Sequence, residues 1–199
     1  MQIVDGIAIV DNVFTPLQCK EWIIEFEQNP DKHSTGDFLG GSIDKNLKDV
    51  VEMSFNHLTQ VTPKYNDILV EYLNEYTKDS GWNTNSLWTS CSTKWNGAKY
   101  KKYFKKSGHY NLVHQEKDGW VELSNRLFSV LLYLNTVSEG GETVFPIHNV
   151  SCQPIVGRIC IWPSGFPYLH YGKEPISDNK YAINFWLSYD YDYSKGGLI

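Results

Sequence analysis

Apolar residues recur at helical spacing in two stretches near the start of the chain and alternate with polar residues after that. The first helix is predicted to begin at Thr15, because Pro16 suits the first helical position and Gln18 completes a capping box. Phe14 precedes the cap and can pack back onto the first turn as a hydrophobic staple. The helix should end near Pro30, since proline cannot continue it.

A second helix is predicted to start at the pair Thr62-Pro63, again a cap followed by a first-turn proline, and to close at Ser80-Gly81. One stripe of it is apolar and aromatic, which is typical of a helix packed against a sheet. The stripe consists of Tyr65, Ile68, Leu69, Tyr72, Leu73 and Tyr76. Between the helices, the segment 31–49 is rich in Gly, Asp, Ser and Lys and is predicted to be a long loop, either a lid or a plain surface insertion.

From Leu87 onward the apolar spacing changes to a period of two, which predicts strands. The predicted strands are 87–95, 100–104, 110–116, 126–135, 143–145, 157–162, 168–170 and 180–189, with one short strand earlier, over 7–14. About eight short strands after two helices favour an α+β, mainly β fold: a double-stranded β-helix (jelly roll) with supporting N-terminal helices. We therefore expect one domain over 1–199, with a helical support region 1–86 and a jelly-roll core 87–199.

Composition agrees with a globular, β-rich chain. Of 199 residues, 41% are hydrophobic and 15% aromatic, and flat rings pack well on pleated surfaces. The net charge is −5, and the one basic cluster is Lys101-Lys102 with Lys105-Lys106. Phosphate binding requires a basic face, so nucleic acid is not an expected partner. The lysines are expected to mark a solvated strand edge.

The cysteines Cys19, Cys91, Cys152 and Cys160 show no CxxC spacing and are expected to be reduced. The N-terminus has no basic segment or long apolar run, and no stretch approaches the ~18 apolar residues of a membrane span. The expectation is a cytoplasmic protein without a signal peptide, a transmembrane segment or a membrane partner.

His114 and Glu116 carry the first chemical signal. Residues two apart on a strand project from the same face, so both side chains are aimed at one point. Two histidines and one carboxylate form the facial triad of non-haem Fe(II) oxygenases, so a distant histidine is needed. His170 is the best candidate, ahead of His148, which lacks a strand partner carboxylate. Asp118 is the alternative carboxylate, although Lys117-Asp118-Gly119 resembles a turn.

Lys180 opens the last predicted strand, ten residues after His170. It shares a face with Ala182 and Asn184 if the strand is regular. A cation deep in a barrel must be paired, and a carboxylate of a small ligand is the natural partner. The alternative is a lysine on an exposed strand edge.

The order and spacing of the motifs resemble the prolyl 4-hydroxylase type of 2-oxoglutarate/Fe(II)-dependent oxygenase. The matching elements are Tyr103, Gly108, Tyr110, His114, Glu116, Arg126, Tyr133-Leu134-Asn135, Gly141-Glu142-Thr143, Phe145-Pro146, Pro154, Gly157, His170, Gly172 and Lys180. Two departures stand out. Glu116 replaces the usual aspartate, and three residues rather than two separate Tyr110 from His114.

The resemblance implies that His114, Glu116 and His170 bind Fe(II) and that Lys180 grips the C5 carboxylate of 2-oxoglutarate. It also implies that Tyr103 and Tyr133 line the co-substrate pocket, with Thr143 nearby. O₂ would be the oxidant, with ascorbate as a candidate reductant. The product is a hydroxylated C–H, with succinate and CO₂ as co-products.

A prolyl residue of a peptide or protein is the family-level substrate, followed by a free amino acid or another side chain. The carboxylate Glu116 argues against the related halogenases, which lack that ligand. Arg126 matches a family position or is structural, and Trp186 is expected to fill the barrel floor. Two other functions stay open, namely a non-catalytic metal- or ligand-binding jelly roll and a cupin-like metal hydrolase.

Overall fold

The computed structural model describes residues 1–38, 41–78, 93–117, 124–192 and 197–198. The helices are α1 (Pro16–Glu27) and α2 (Leu58–Thr77), with a 3-10 turn at Pro30–Lys32. The strands of these residues are β1 Gln2–Val4, β2 Ile7–Val10, β3 Ser34–Thr35, β4 Lys48–Asp49, β5 Val51–Ser54, β6 Thr93–Tyr103, β7 His109–His114, β8 Arg126–Tyr133, β9 Thr143–Phe145, β10 Val150–Cys152, β11 Ile159–Pro163, β12 His170–Gly172, β13 Lys180–Tyr189, β14 Tyr191–Asp192 and β15 Gly197–Leu198.

Two antiparallel sheets form the body of the fold. The larger has the order β1-β2-β11-β8-β13-β6-β5-β3, and the smaller has the order β10-β9-β12-β7-β4. Side chains from both sheets, including Phe145 of β9 and Trp162 of β11, meet in one buried cluster. The predicted mainly-β, double-sheet architecture is confirmed, and β9 and β13 have the predicted bounds.

Helix α1 begins as the sequence predicts. Thr15 accepts a hydrogen bond from the backbone N–H of Gln18, and the Gln18 side chain accepts one from the backbone N–H of Thr15. The helix buries Cys19 and Phe26. The capping box therefore fixes where the chain leaves the first strands and crosses the large sheet.

Helix α2 begins at Leu58, four residues before the predicted cap at Thr62, so that prediction was wrong. Pro63 lies inside the helix and cannot donate to the carbonyl of Thr59. The Thr62 hydroxyl donates to that carbonyl instead, at 3.4 Å. This local substitution explains why a threonine-proline pair, typical of a helix start, is tolerated within the helix.

The region 1–86, expected to be helical support, also contributes five strands in its described part. Strand β2 pairs with β11, β5 pairs with β6, and β4 pairs with β7 of the small sheet. Short strands of alternating apolar residues at the start of the chain thus complete both sheets. The prediction had assigned the whole β-structure, apart from residues 7–14, to the second half of the chain.

Strand β6 corrects two predictions. The strands expected at 87–95 and 100–104 form one strand from Thr93 to Tyr103, while residues 87–92 lie outside the described part of the chain. Strand β6 is also not an edge, because β13 and β5 pair with its two sides. The lysines Lys101 and Lys102 are therefore held within a sheet, with only 11% and 12% of their side chains exposed.

The main apolar core lies between the two helices and the large sheet. It joins Phe14, Phe26 and Tyr65 to the sheet residues Leu132 and Phe185. Cys19, Cys152 and Cys160 are buried free thiols, and Cys91 lies outside the described residues. Neither α1 nor α2 is long and apolar enough to cross a membrane.

Candidate active site

Strand pairing brings the two predicted histidine ligands together. His114 ends β7 and His170 begins β12, and the two residues are register partners with ring centroids 4.4 Å apart. Glu116 lies two residues past the end of β7, where its backbone N–H donates to the Ser164 carbonyl at 3.0 Å. Its Oε1 is 3.8 Å from His114 Nε2 and 3.6 Å from His170 Nε2. The three potential ligand atoms lie within 4.8 Å of one another.

The backbone orients both imidazole rings. His114 Nδ1 lies 2.8 Å from the Leu112 carbonyl, and His170 Nδ1 lies 3.1 Å from the Tyr168 carbonyl. A carbonyl can only accept a hydrogen bond, so each Nδ1 carries the proton and each Nε2 presents a lone pair toward Glu116. Burial lowers the pKa of His114, and the neighbouring His170 lowers it further, which favours the neutral ring.

Two side chains donate hydrogen bonds to the other carboxylate oxygen of Glu116, Oε2. Arg126 Nη1 and Trp186 Nε1 both donate to Oε2 at 3.1 Å, and Arg126 also donates to the Glu116 carbonyl at 2.9 Å. The guanidinium lies 3.6 Å from the centroid of the Trp186 ring. Burial alone would raise the pKa of Glu116, but its proximity to His114 and His170 holds that pKa well below its usual range, so Glu116 is a carboxylate. Trp186 thus does more than fill the barrel.

A β-bulge in β7 accommodates the extra residue between Tyr110 and His114. Tyr110 pairs with Gly172 and His114 pairs with His170, so three residues of β7 face one residue of β12. This bulge leaves both side chains on the same side, and the Tyr110 ring stacks on the His114 ring at 4.0 Å. The departure from the family spacing therefore adds a wall to the site.

Lys180 is buried, with 3% of the residue exposed, so the alternative of an exposed strand edge is wrong. Its Nζ donates to the Gly141 carbonyl at 2.7 Å and lies 5.1 Å from the Tyr103 ring centroid and 5.3 Å from that of Tyr133. Burial lowers its pKa to about 8. No carboxylate within salt-bridge distance neutralises it among the described residues.

A small inner cavity of about 40 Å³ connects these groups. The triad and Lys180 line it together with Lys101, Tyr103, Tyr110, Thr143, Trp162 and Asn184. Among the described residues, Asn184 Oδ1 and Trp162 Nε1 are buried without a hydrogen-bond partner. The sequence had placed Asn184 on the Lys180 face but had given it no role, and nothing in the pattern singled out Trp162.

The two tyrosines expected in the pocket differ in their placement. Tyr103 lines the inner cavity beside Lys180. The Tyr133 hydroxyl instead donates to Thr143 Oγ1 at 2.8 Å and contacts the Cys152 carbonyl at 3.2 Å. The Tyr133 ring therefore packs near the Lys180 ammonium, and its hydroxyl positions Thr143 by a hydrogen bond.

The alternative histidine, His148, does not join this group. The His148 ring stacks on Tyr168, and its Nδ1 lies 4.0 Å from Asp5. Asp118 lies outside the described residues. Of the described residues, only His114, Glu116 and His170 form a group of three potential metal ligands.

A wider outer cleft of about 560 Å³ lies against two members of the triad, His114 and Glu116. Lys101, Tyr110, His114 and Glu116 line both the cleft and the inner cavity. The outer cleft is further lined by Phe38, Trp186 and Lys99. The arrangement thus offers a small inner chamber for a co-substrate and a larger opening for a substrate.

Comparisons with known proteins agree with the resemblance found in the sequence motifs. Residues 98–188 match the family model of the 2OG-Fe(II) oxygenase superfamily. A curated relative, prolyl 4-hydroxylase subunit alpha-1 of Gallus gallus, is 36% identical over 81 residues, which make up 36% of this chain and 16% of the relative. The chain therefore matches only a small part of that relative's length.

Solved structures share the fold. A prolyl-4-hydroxylase of Pseudomonas putida has a TM-score of 0.67 at 13% identity, covering 92% of each chain. A prolyl hydroxylase of Trichoplax adhaerens, in complex with a hypoxia inducible factor peptide fragment, has a TM-score of 0.64 at 16% identity, covering 92% of this chain and 84% of that one. At these identities the likeness establishes the architecture.

Proposed function

We propose that this chain is an Fe(II)- and 2-oxoglutarate-dependent dioxygenase, because residues 98–188 match the family model of the 2OG-Fe(II) oxygenase superfamily and 81 residues are 36% identical to a prolyl 4-hydroxylase subunit. It hydroxylates an unactivated C–H bond, and a prolyl residue of a peptide or protein is the first candidate substrate. The observation that carries the proposal is the convergence of His114, Glu116 and His170 beside the buried cation of Lys180.

The donor set fits Fe(II). Two imidazole nitrogens and one carboxylate oxygen are the facial ligands that non-haem Fe(II) oxygenases use. Both Nδ1 atoms are engaged by carbonyls and Glu116 Oε2 is engaged by Arg126 and Trp186, so the remaining lone pairs face one point. Outer hydrogen bonds of this kind fix ligand orientation in metal sites. His114, Glu116 and His170 are therefore the proposed ligands.

The surroundings of Lys180 fit the distal carboxylate of 2-oxoglutarate. A buried ammonium with only a carbonyl partner is strongly stabilised by a carboxylate. Tyr103 stands in the same cavity and can donate a second hydrogen bond. The cavity measures about 40 Å³, so a dicarboxylate enters only when lining side chains move apart and Lys180 exchanges the Gly141 carbonyl for the ligand.

When bound, Fe(II), 2-oxoglutarate and O₂ supply C–H hydroxylation with succinate and CO₂ as co-products. The chain supplies placement. Lys180 and Tyr103 orient the co-substrate, while Arg126 and Trp186 hold Glu116 against rotation. Phe145 and Trp162 pack on the His170 ring and keep water from that side of the site.

Two rival functions use the same fold. A metal hydrolase of cupin-like architecture needs the triad but gives the buried Lys180 no task. A non-catalytic binding module predicts no succinate release. The Lys180 environment is therefore the observation that favours the oxygenase.

The test is 2-oxoglutarate turnover with Fe(II), read as succinate release without added substrate. We expect His170→Ala and Lys180→Ala to lose this turnover, while His148→Ala, a histidine outside the triad, should retain it. A parallel thermal-shift titration with Mn(II) and 2-oxoglutarate reports binding, since ligands that bind the native state stabilise it by mass action. Wild-type turnover in both the His170 and the Lys180 variants would refute the assignment.

The substrate needs its own experiment. The solved Trichoplax adhaerens relative binds a peptide, which supports a peptide or protein substrate here. A screen of proline-containing peptides and free amino acids by mass spectrometry should show a gain of one oxygen atom. Retention of that product by the His170→Ala variant would indicate a contaminating activity.

A further inference from the structure

Three lysines converge on one carboxylate beside the proposed active site. Glu52 Oε1 lies 3.1 Å from Lys48 Nζ and 3.7 Å from Lys101 Nζ, and Glu52 Oε2 lies 2.9 Å from Lys99 Nζ. We call Lys48, Lys99, Lys101 and Glu52 the lysine cluster. All four line the outer cleft, and none is used by the proposed chemistry.

Strand geometry places the cluster toward the cleft. Lys99 and Lys101 are two residues apart on β6 and so project from the same face. Glu52 of the neighbouring β5 is the register partner of Lys101. The alternate residue Lys102 points to the other face, where it pairs with Glu27 of α1. The sheet therefore divides the basic run of the sequence between two surfaces.

The cluster carries more positive than negative charge. Burial alone would raise the pKa of Glu52, but Lys101, Lys48 and Lys99 lower it to about 2, so it stays a carboxylate. One carboxylate cannot neutralise three ammonium groups. The described lining of the whole outer cleft has four cationic side chains (Lys48, Lys99, Lys101 and Arg126) and three carboxylates (Asp37, Glu52 and Glu116).

Two of the three carboxylates in the lining of the outer cleft are already paired with cationic side chains. Glu52 is committed to the lysines and Glu116 to Arg126, while Asp37 lies at an exposed position on the rim. The chain as a whole has a net charge of −5, so the cleft has the opposite sign to the protein. Surfaces with such local excess attract and orient ligands of complementary charge.

The lysines differ in what they can do. Lys48 is buried, donates to the Asp37 carbonyl at 2.7 Å and lies 5.3 Å from the Tyr110 ring centroid, so it is a structural member. Lys99 has 44% of its side chain exposed, and Lys101 has 11%. Lys101 borders both the inner cavity and the outer cleft. Lys99 and Lys101 are thus the two that a substrate can reach, close to the triad.

We propose that the lysine cluster recognises an acidic side chain of a peptide substrate, next to or within a few residues of the hydroxylated residue. This inference rests on the proposed function, because it names the substrate class of the same site. Phe38, Tyr110 and Trp186 supply the apolar walls of the cleft, while Lys99 and Lys101 supply the charge that selects an aspartate or glutamate.

The test uses three matched fluorescent peptides with one central proline flanked by glutamate, glutamine or lysine. Binding to the protein loaded with Mn(II) and 2-oxoglutarate is measured by anisotropy at low salt. We expect the glutamate peptide to bind about tenfold more tightly than the glutamine peptide, because only its carboxylate can form ion pairs with Lys99 and Lys101. The difference should shrink as salt is added.

Variants locate the preference. Lys99→Gln with Lys101→Gln should reduce the preference for glutamate to less than about threefold, and Lys99→Glu should shift it toward the lysine peptide. Lys94→Gln is the matched control, because Lys94 lies on the same strand but pairs with Asp190 outside the described lining of the cleft. This control should keep the full preference.

Equal binding of the glutamate and glutamine peptides, no binding of any peptide, or a preference that survives in the double variant would each overturn the inference. Succinate release from 2-oxoglutarate is measured on the same preparations without peptide. Turnover in the absence of an acidic preference would reject the recognition role alone, whereas loss of turnover in the wild type would reject the proposed function itself.

Discussion

At the scale of single residues, the attachment of Glu116 gives the first prediction. Trp186→Phe keeps an aromatic ring beside Arg126 but removes the N–H that donates to Glu116 Oε2. Loss of an outer hydrogen bond to a metal ligand typically costs about tenfold or more in metal affinity. We expect Mn(II) or Fe(II) binding, measured by titration calorimetry, to weaken by about tenfold.

The control for this substitution is Trp95→Phe. Trp95 also donates its indole N–H, to Asn66 Oδ1 at 2.7 Å, but it lies outside the described lining of the site. Its variant should bind metal as the wild type does. Equal affinities in the Trp186 and Trp95 variants would contradict the role given to Trp186.

Lys180 gives the second prediction. Lys180→Met should abolish the stabilisation by 2-oxoglutarate yet leave that by Mn(II) in place. Without ligands it should make the protein more stable by roughly 1–3 kcal/mol, because a buried cation is removed, less the cost of leaving the Gly141 carbonyl unpaired. Urea unfolding with and without ligands measures both effects.

The sign of the pH dependence follows from the lowered pKa of Lys180, about 8 against 10.5 in the unfolded chain. Between these values the unfolded chain holds more protons, so the stability of the wild type rises with pH relative to the variant. The gap between the two proteins should therefore close as pH rises from 8 to 10.5. The charged and titratable groups around Lys180 are Lys101, Glu142, Cys152, Tyr103 and Tyr133. A constant gap would contradict the burial of a charged Lys180.

The sequence predicted which residues lie together at the site where their chemical type and spacing form a motif. His114, Glu116, His170 and Lys180 stand together because motif spacing and strand alternation together restrict where they can lie. The roles of Arg126 and Trp186 depend on which strands become neighbours, and that is a tertiary matter that periodicity does not encode.

At the scale of elements, Gly97 is the most informative position. It has φ +67° in the bulge of β6, and an added Cβ would lie 2.4 Å from the Trp186 ring. Gly97→Ala should lower stability by roughly 2–4 kcal/mol through backbone strain and steric overlap. It should also weaken metal binding, because the displaced indole no longer reaches Glu116.

Gly41→Ala separates strain from overlap. Gly41 has φ +77° but nothing lies within 4 Å of an added Cβ among the described atoms. We expect only the cost of the left-handed backbone there, about 1–2 kcal/mol, with unchanged metal affinity. Chemical unfolding and metal titration of both variants decide between the two contributions.

Element boundaries were predictable where one local interaction decides them. The capping box of Thr15 and Gln18 fixed the start of α1, whereas α2 begins four residues before Thr62 because the helix accommodates Pro63. The joining of two predicted strands into β6 was missed for a related reason. A glycine at position 97 reads as a break, yet here it forms a bulge within a continuous strand.

At the scale of the molecule, the segment that matches the family model is not a complete fold. Strand β11, whose residues Ile159 and Ile161 are fully buried, pairs with β2 from the start of the chain. A fragment of residues 93–199 loses that partner, β5 and both helices. We expect it to lack the cooperative unfolding transition that circular dichroism should show for the full chain.

A cooperative transition in the fragment would show that the N-terminal part is an accessory. The mainly-β class was predictable because alternation dominates the second half of the chain. Apart from the strand predicted over 7–14, the short N-terminal strands that complete both sheets were not predicted, because strands of two to four residues carry too little periodicity to be distinguished from loops.

The hydrogen bond from Lys180 to the Gly141 carbonyl has a consequence for affinity. The ammonium loses its hydration when the protein folds. The cost of that dehydration therefore lowers the stability of the fold and does not weaken the binding of the co-substrate. A dicarboxylate then exchanges one acceptor for a stronger one at a donor that is already fixed in direction. The site is in this sense preorganised. Burial of the ammonium lowers the stability of the fold, and the same burial raises the affinity for the co-substrate.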